Sequence, residues 1–134
     1  RKGSMSRPPA AVAAVLALAA AAPAQPKAAV TYKDHVLPVL RTHCLTCHNP
    51  DKASADLNVA TYQALMAGGS SGEAVKPGSP DGSLLYRLSA HADEPRMPPK
   101  GPRMPDADLA VLKAWIEQGA PETAVGAARA AARR

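Results

Sequence analysis

The sequence predicts a small all-α domain of about four short helices joined by long loops. Three observations predict it. Apolar residues recur at helical spacing, most clearly at Leu109, Leu112, Trp115 and Ile116. No long stretch alternates polar and apolar residues as a half-buried strand does. Gly and Pro gather in clusters, so that short periodic segments are set between aperiodic ones.

The first helix is expected from Leu37 or Pro38 to Cys47, with Val36, Val39 and Leu40 on one side. Pro38 fits only in the first turn, where its missing N–H has no partner to lose. Asn49-Pro50-Asp51 ends this helix, and Asp56-Leu57-Asn58-Val59 is a short extended piece. Thr61 caps a brief helix through Met66, which Gly68 and Gly69 stop, and residues 68–72 form a Gly/Ser loop. Ser79 before Pro80 predicts a helix over residues 80–89 with Leu84, Leu85 and Leu88 facing inward. Residues 94–105 hold five prolines and no period, which makes them an extended, stiff loop. The last helix spans about residues 106–118. Asp106 and Asp108 sit where the helix dipole favours anions, and Gly119 and Pro121 end it.

A chain of 134 residues suffices for one domain. Residues 10–22 are almost purely Ala, Val and Leu, Arg7 stands just before them, and Ala22-Pro23-Ala24 supplies small residues for cleavage. Residues 5–24 therefore read as a secretory signal peptide, with an apolar run too short to span a bilayer; retention as an uncleaved anchor is the alternative. Residues 1–4 precede the plausible initiator Met5 and are unexplained. Residues 30–121 form the domain, and the Ala/Arg-rich tail, residues 122–134, is expected to be disordered. After cleavage no transmembrane segment is expected, and the location is periplasmic or otherwise exported.

The formal charge of +5 misleads. Of sixteen Lys and Arg, Arg1, Lys2, Arg7, Arg129, Arg133 and Arg134 lie in the terminal segments, leaving ten against eleven Asp and Glu. A near-neutral body argues against nucleic acid as a partner. The body also has no Phe and one Trp, so few large side chains are available to bury and something else should fill the core.

Cys44-Leu45-Thr46-Cys47-His48 is the C-x-x-C-H haem-attachment pattern. Two thiols three residues apart reach the two vinyl groups on one porphyrin edge, and the adjacent imidazole of His48 then lies under the iron. One motif implies one haem, which would fill the core. The competing readings are a Cys44/Cys47 disulfide or redox pair, which lacks the βαβ setting such pairs keep, a zinc site, which needs further ligands, and a chance match.

The second axial ligand must come from later in the chain, and a methionine thioether commonly partners histidine. Met97 stands in the proline-rich loop, where Pro98 and Pro99 stiffen the segment. Met104 is the fallback, although it resembles a hydrophobic staple before the last helix. Met66 reads as core packing. His43 points away if His48 points towards the iron, His35 reads as solvated, and His91 is a lesser rival ligand. Arg96, Lys100 and Arg103 could steer an acidic redox partner or remain solvated charges.

With these pieces in place, the sequence resembles the Planctomycete-type cytochrome c family from about Tyr32 to Ala120. The resemblance rests on Val36-Leu37-Pro38-Val39-Leu40, the attachment motif, Leu57-Asn58-Val59-Ala60-Thr61-Tyr62, Gly68-Gly69 and Pro77-Gly78-Ser79-Pro80. It continues through Ser83-Leu84-Leu85, Arg96-Met97-Pro98-Pro99-Lys100-Gly101 and Trp115-Ile116-Glu117-Gln118-Gly119-Ala120. It implies a class I-like cytochrome c fold around one covalent haem c, with axial ligands at His48 and Met97. The hydroxyl cap usual before the last helix appears here as Pro105. The expected function is single-electron transfer to a redox protein partner or within a larger redox complex, not catalysis. The alternative is a haem-based sensor or peroxidase-like enzyme with an open distal site.

Overall fold

The computed structural model describes residues 3–21 and 28–134, so the proposed cleavage site Ala22-Pro23-Ala24 lies outside the described residues. Five α-helices are present and no strand is found among the described residues. They are α1 (Leu37–His43), α2 (Tyr62–Ala67), α3 (Leu84–Ser89), α4 (Asp106–Glu117) and α5 (Ala124–Ala132).

A π-helical turn, Tyr32–Val36, leads directly into α1. The Thr31 hydroxyl starts it by accepting the Asp34 N–H at 3.2 Å. Pro38 stands in the first turn of α1 directly after the π-helical turn, so it offers no N–H to the carbonyls of that turn. α1 stops at His43, before the expected Cys47. Cys44 leaves helical geometry (φ −123°), and the N–H groups of Cys44 and Leu45 both turn to the Leu40 carbonyl. The C-x-x-C-H motif therefore lies on tight turns beyond the helix.

α2 is as expected: the Thr61 hydroxyl accepts the Ala64 N–H at 3.2 Å, and Gly68 follows its last residue. α3 is shorter than expected and begins at Leu84. Ser83 takes an extended conformation, and its buried hydroxyl donates to the Ser79 carbonyl (2.8 Å) and accepts the Lys76 N–H (2.8 Å). That bonding separates the turn at residues 79–82 from the helix proper. The tail, expected to be disordered, instead contains α5, which buries no residue and which the Thr123 hydroxyl caps at the Gly126 N–H. Alanine is the best helix former, so the composition favours helix here, together with the Thr123 cap.

The core gathers the π-helical turn, α1, α2 and α4. Leu109, Leu112, Trp115 and Ile116 of α4 are buried together with Tyr32, Val36, Val39, Leu40, Val59 and Leu65. The few aromatic rings are concentrated: Tyr32 meets Tyr62 edge-on at 5.7 Å and Trp115 at 6.3 Å. Their polar atoms are satisfied, with Tyr32 Oη donating to Val59 O (2.7 Å), Tyr62 Oη to Ala120 O (2.9 Å) and Trp115 Nε1 to Pro121 O (2.9 Å). The N–H groups of Tyr32 and Lys33 close the ring by donating to Pro121 O and Glu122 O. Trp115 is fully buried, and Trp115→Ala is expected to cost about 3–5 kcal/mol in chemical denaturation. A loss under about 1 kcal/mol would contradict this packing.

Residues 10–21 form no helix, and Val12, Val15, Leu16 and Leu18 stand almost fully exposed, clear of the core. No described helix is long and apolar enough to cross a membrane.

Candidate functional site

The C-x-x-C-H segment is held by its own backbone. Cys47 N–H and His48 N–H both donate to the Cys44 carbonyl, at 3.2 and 3.0 Å. Asn49 braces the turn: its Nδ2 donates to Leu45 O (2.9 Å) and its Oδ1 accepts the Asp51 and Lys52 N–H groups. The chain then folds back over the motif. Ser54 N–H reaches Cys47 O at 2.9 Å, and Val59 N–H reaches His48 O at 2.9 Å.

This return passes through Ala53, Ala55 and Asp56, all at positive φ. None is glycine, so the turn carries steric cost and is held by what it touches. Ala55 O accepts both the N–H (2.8 Å) and the hydroxyl (3.0 Å) of Ser70. Gly69 lies so close that a Cβ there would collide with Ala55 O and press on Leu57. Gly69 is glycine because two backbones must meet here.

A cavity of about 190 Å³ opens between the motif, this loop, α3 and the proline-rich segment. Cys44, His48 and Met97 all line it. Most of the remaining wall is apolar, from Leu57, Val59, Leu84, Leu85 and Leu88, with the buried Ser89 among them. Cys47 is half-buried outside this lining, its Sγ 3.8 Å from Lys52 Nζ. Met104 is absent from the wall and buried in the core instead, 2% exposed.

His48 Nδ1 stands 3.3 Å from the Leu57 carbonyl. A carbonyl only accepts, so Nδ1 carries the proton and Nε2 of the neutral ring keeps its lone pair. This is the arrangement by which metal-binding imidazoles are oriented. The residues thus fit a haem: an apolar cleft, an oriented imidazole, a thioether and a thiol share one wall.

The other histidines are engaged elsewhere. His43 Nε2 pairs with Asp108 Oδ2 at 2.8 Å and ties the end of α1 to the first turn of α4. His35 Nδ1 accepts the Thr31 N–H at 2.9 Å. His91 Nε2 lies 3.2 Å from Met97 O. Arg96 pairs with Glu94 (3.2 Å) and Arg103 with Asp106 (2.7 Å), while Arg103 Nε–H also donates to Ala90 O (3.0 Å). These two arginines therefore hold the loop and spend much of their charge locally.

Both cysteines are free thiols. Burial, with a smaller contribution from Cys47, pushes the Cys44 thiol up to about 11. Redox-exchange cysteines need the opposite shift, towards thiolate, so the electrostatics disfavour a disulfide-exchange pair. Among the described residues no group of three or more His, Cys, Asp or Glu is gathered as a metal site.

Three features of the wall carried no distinct signal in the sequence. The Leu57 carbonyl acts through backbone, Ser89 resembles any helix-end serine, and Ala55 gives no warning of its left-handed geometry. Gly69 was visible only as half of a Gly pair that ends a helix.

The family model described as Planctomycete cytochrome C matches residues 44–101, a little under half of the chain. The match is narrower than the span from Tyr32 to Ala120 over which the resemblance was expected. It begins at Cys44 and takes in the motif, α2, α3 and the Met97 loop, while α1 and α4 flank it. No curated protein and no solved structure gave a match. Residues 44–101 are accordingly a Planctomycete cytochrome C domain, set in a small all-helical fold whose Cys44/Cys47 pair is consistent with haem binding.

Proposed function

We propose that this protein is an exported electron carrier. It holds one haem c through thioethers at Cys44 and Cys47, with His48 as proximal and Met97 as distal ligand. The observation that carries the reading is the shared apolar cavity of Cys44, His48 and Met97, in which the Leu57 carbonyl leaves His48 Nε2 free to bind a metal. When bound, the haem supplies a one-electron Fe(III)/Fe(II) couple.

The chain's own residues do the rest. Cys44 and Cys47 would hold the haem through their sulfurs, and His48 and Met97 would supply the nitrogen and thioether to its iron. Leu57, Val59, Leu84, Leu85 and Leu88 exclude water. Low polarity around the site limits reorganisation when charge arrives, and a thioether ligand raises the potential. No acid–base pair accompanies them in the cavity wall, where Glu94 is the one carboxylate, so the wall favours transfer over catalysis. Residues 5–24 serve as the leader to the periplasm, where thioether haems are assembled, and their exposed Val and Leu side chains have no place in the domain core. The partner is a redox protein or a larger redox complex.

The visible spectrum of protein from a haem-maturing host tests this, followed by carbon monoxide titration of the reduced form. A low-spin c-type spectrum with slow or no carbon monoxide binding is expected. Rapid stoichiometric binding would overturn the electron-carrier reading in favour of a ligand sensor or peroxidase-like enzyme.

A further inference from the structure

α3 and α4 end with the same backbone device and different residues. After α4, Gly119 (φ +92°) and Ala120 donate their N–H groups to Ile116 O and Trp115 O, at 3.0 and 2.9 Å. After α3, His91 (φ +56°) and Ala92 donate theirs to Leu88 O and Arg87 O, at 3.1 and 3.0 Å. This paired stop needs a left-handed residue, and glycine is the usual choice because it has no Cβ to clash. Histidine at position 91 carries a steric cost that ending the helix does not require. Such an outlier points to a task for its side chain.

The ring touches the proline-rich segment of the cavity wall. His91 Nε2 lies 3.2 Å from Met97 O, and because a carbonyl only accepts, Nε2 is the donor. On its other side Met97 donates its N–H to Leu88 O at 3.1 Å. The end of α3 thus grips Met97 through both of its peptide groups. Between them, residues 92–96 are all exposed; Asp93 pairs with Arg87 of α3 (3.4 Å) and Glu94 with Arg96 (3.2 Å), contacts that solvent screens. With right-handed geometry at position 91 the chain would continue the helix instead of turning back towards this loop.

We propose that His91 is a positioning residue for Met97: its Nε2–H···O bond holds the loop so that the thioether stands in the cavity, and it thereby closes the distal side against outside ligands. The proposal rests on the axial role given to Met97 above. It assigns to His91 a task distinct from ligation, through the Met97 backbone and not the iron.

Haem-loaded wild type, His91→Gly and His91→Gln separate the possibilities. Glycine restores the usual helix stop, so the denaturation midpoint should hold or rise. The weak far-red sulfur-to-iron band of the oxidised protein should nevertheless fall by about half or more. Carbon monoxide should bind the reduced form about fivefold faster or more, the effect of losing one hydrogen bond. Glutamine carries an N–H at similar reach and should return most of the band. If His91→Gly keeps the full band and the wild-type binding rate, His91 is a helix stop only and the proposal fails. If glutamine behaves as glycine does, the hydrogen-bond basis is wrong. A wild type that itself lacks the band places the failure earlier, in the assignment of Met97, and takes the positioning role with it.

Discussion

Replacing Cys44 and Cys47 together by alanine is expected to leave no acid-stable haem on the chain after a denaturing gel. Thioethers survive acid and detergent, whereas coordination through His48 and Met97 alone does not. The same variant should also fold loosely. The protein has no Phe and one Trp, and the leucines of α3 line a cavity instead of meeting a closed core. The cleft of about 190 Å³ leaves the apolar side chains of its wall without packing partners, so the haem-free chain loses contacts that a closed core would supply. Fast amide exchange in α3 is the second readout, because α3 supplies four residues of the wall. Covalent haem retained by the double variant would overturn the attachment reading. Native-like protection without haem would show that the cavity is tolerated empty.

What could be read in advance follows from how locally each feature is determined. α4 was legible because a stripe at helical spacing, two acids in the first turn and a closing glycine agree, and all four stripe residues are buried. α2 was legible from Thr61 and the glycines after it. The π-helical turn at Tyr32–Val36 was not, because it depends on partners as distant as Pro121 and Glu122. The early end of α1 and the late start of α3 were missed for a related reason. One is set by two N–H groups turning to the Leu40 carbonyl, and the other by the buried bonds of Ser83. At the cavity, side-chain chemistry singled out Cys44, His48 and Met97, and the structure places these three on one wall. The Leu57 carbonyl that orients His48 leaves no trace in residue type. His91 was visible only as a lesser rival ligand, because its left-handed φ and its contact with Met97 O depend on the fold.

Met97 and Met104 should give crossed results, which makes them the sharpest pair to compare. Met104 is 2% exposed and packed in the core, so Met104→Ala should cost about 2–5 kcal/mol of stability. It lines no part of the cavity, so the far-red sulfur-to-iron band should survive wherever the protein stays folded. Met97 is half-buried at the cavity wall. Met97→Ala should abolish the band, lower the reduction potential as the thioether is lost, and let carbon monoxide bind rapidly. The cost to the fold of the haem-free chain should be smaller than that of Met104→Ala, because the side chain faces a cavity and deletes fewer packed contacts. Loss of the band in Met104→Ala with the fold intact would exchange the two roles. A band unchanged in both would remove methionine from the iron altogether. Loss in Met97→Ala alone, with the larger stability loss in Met104→Ala, is the outcome the cavity and the core together require.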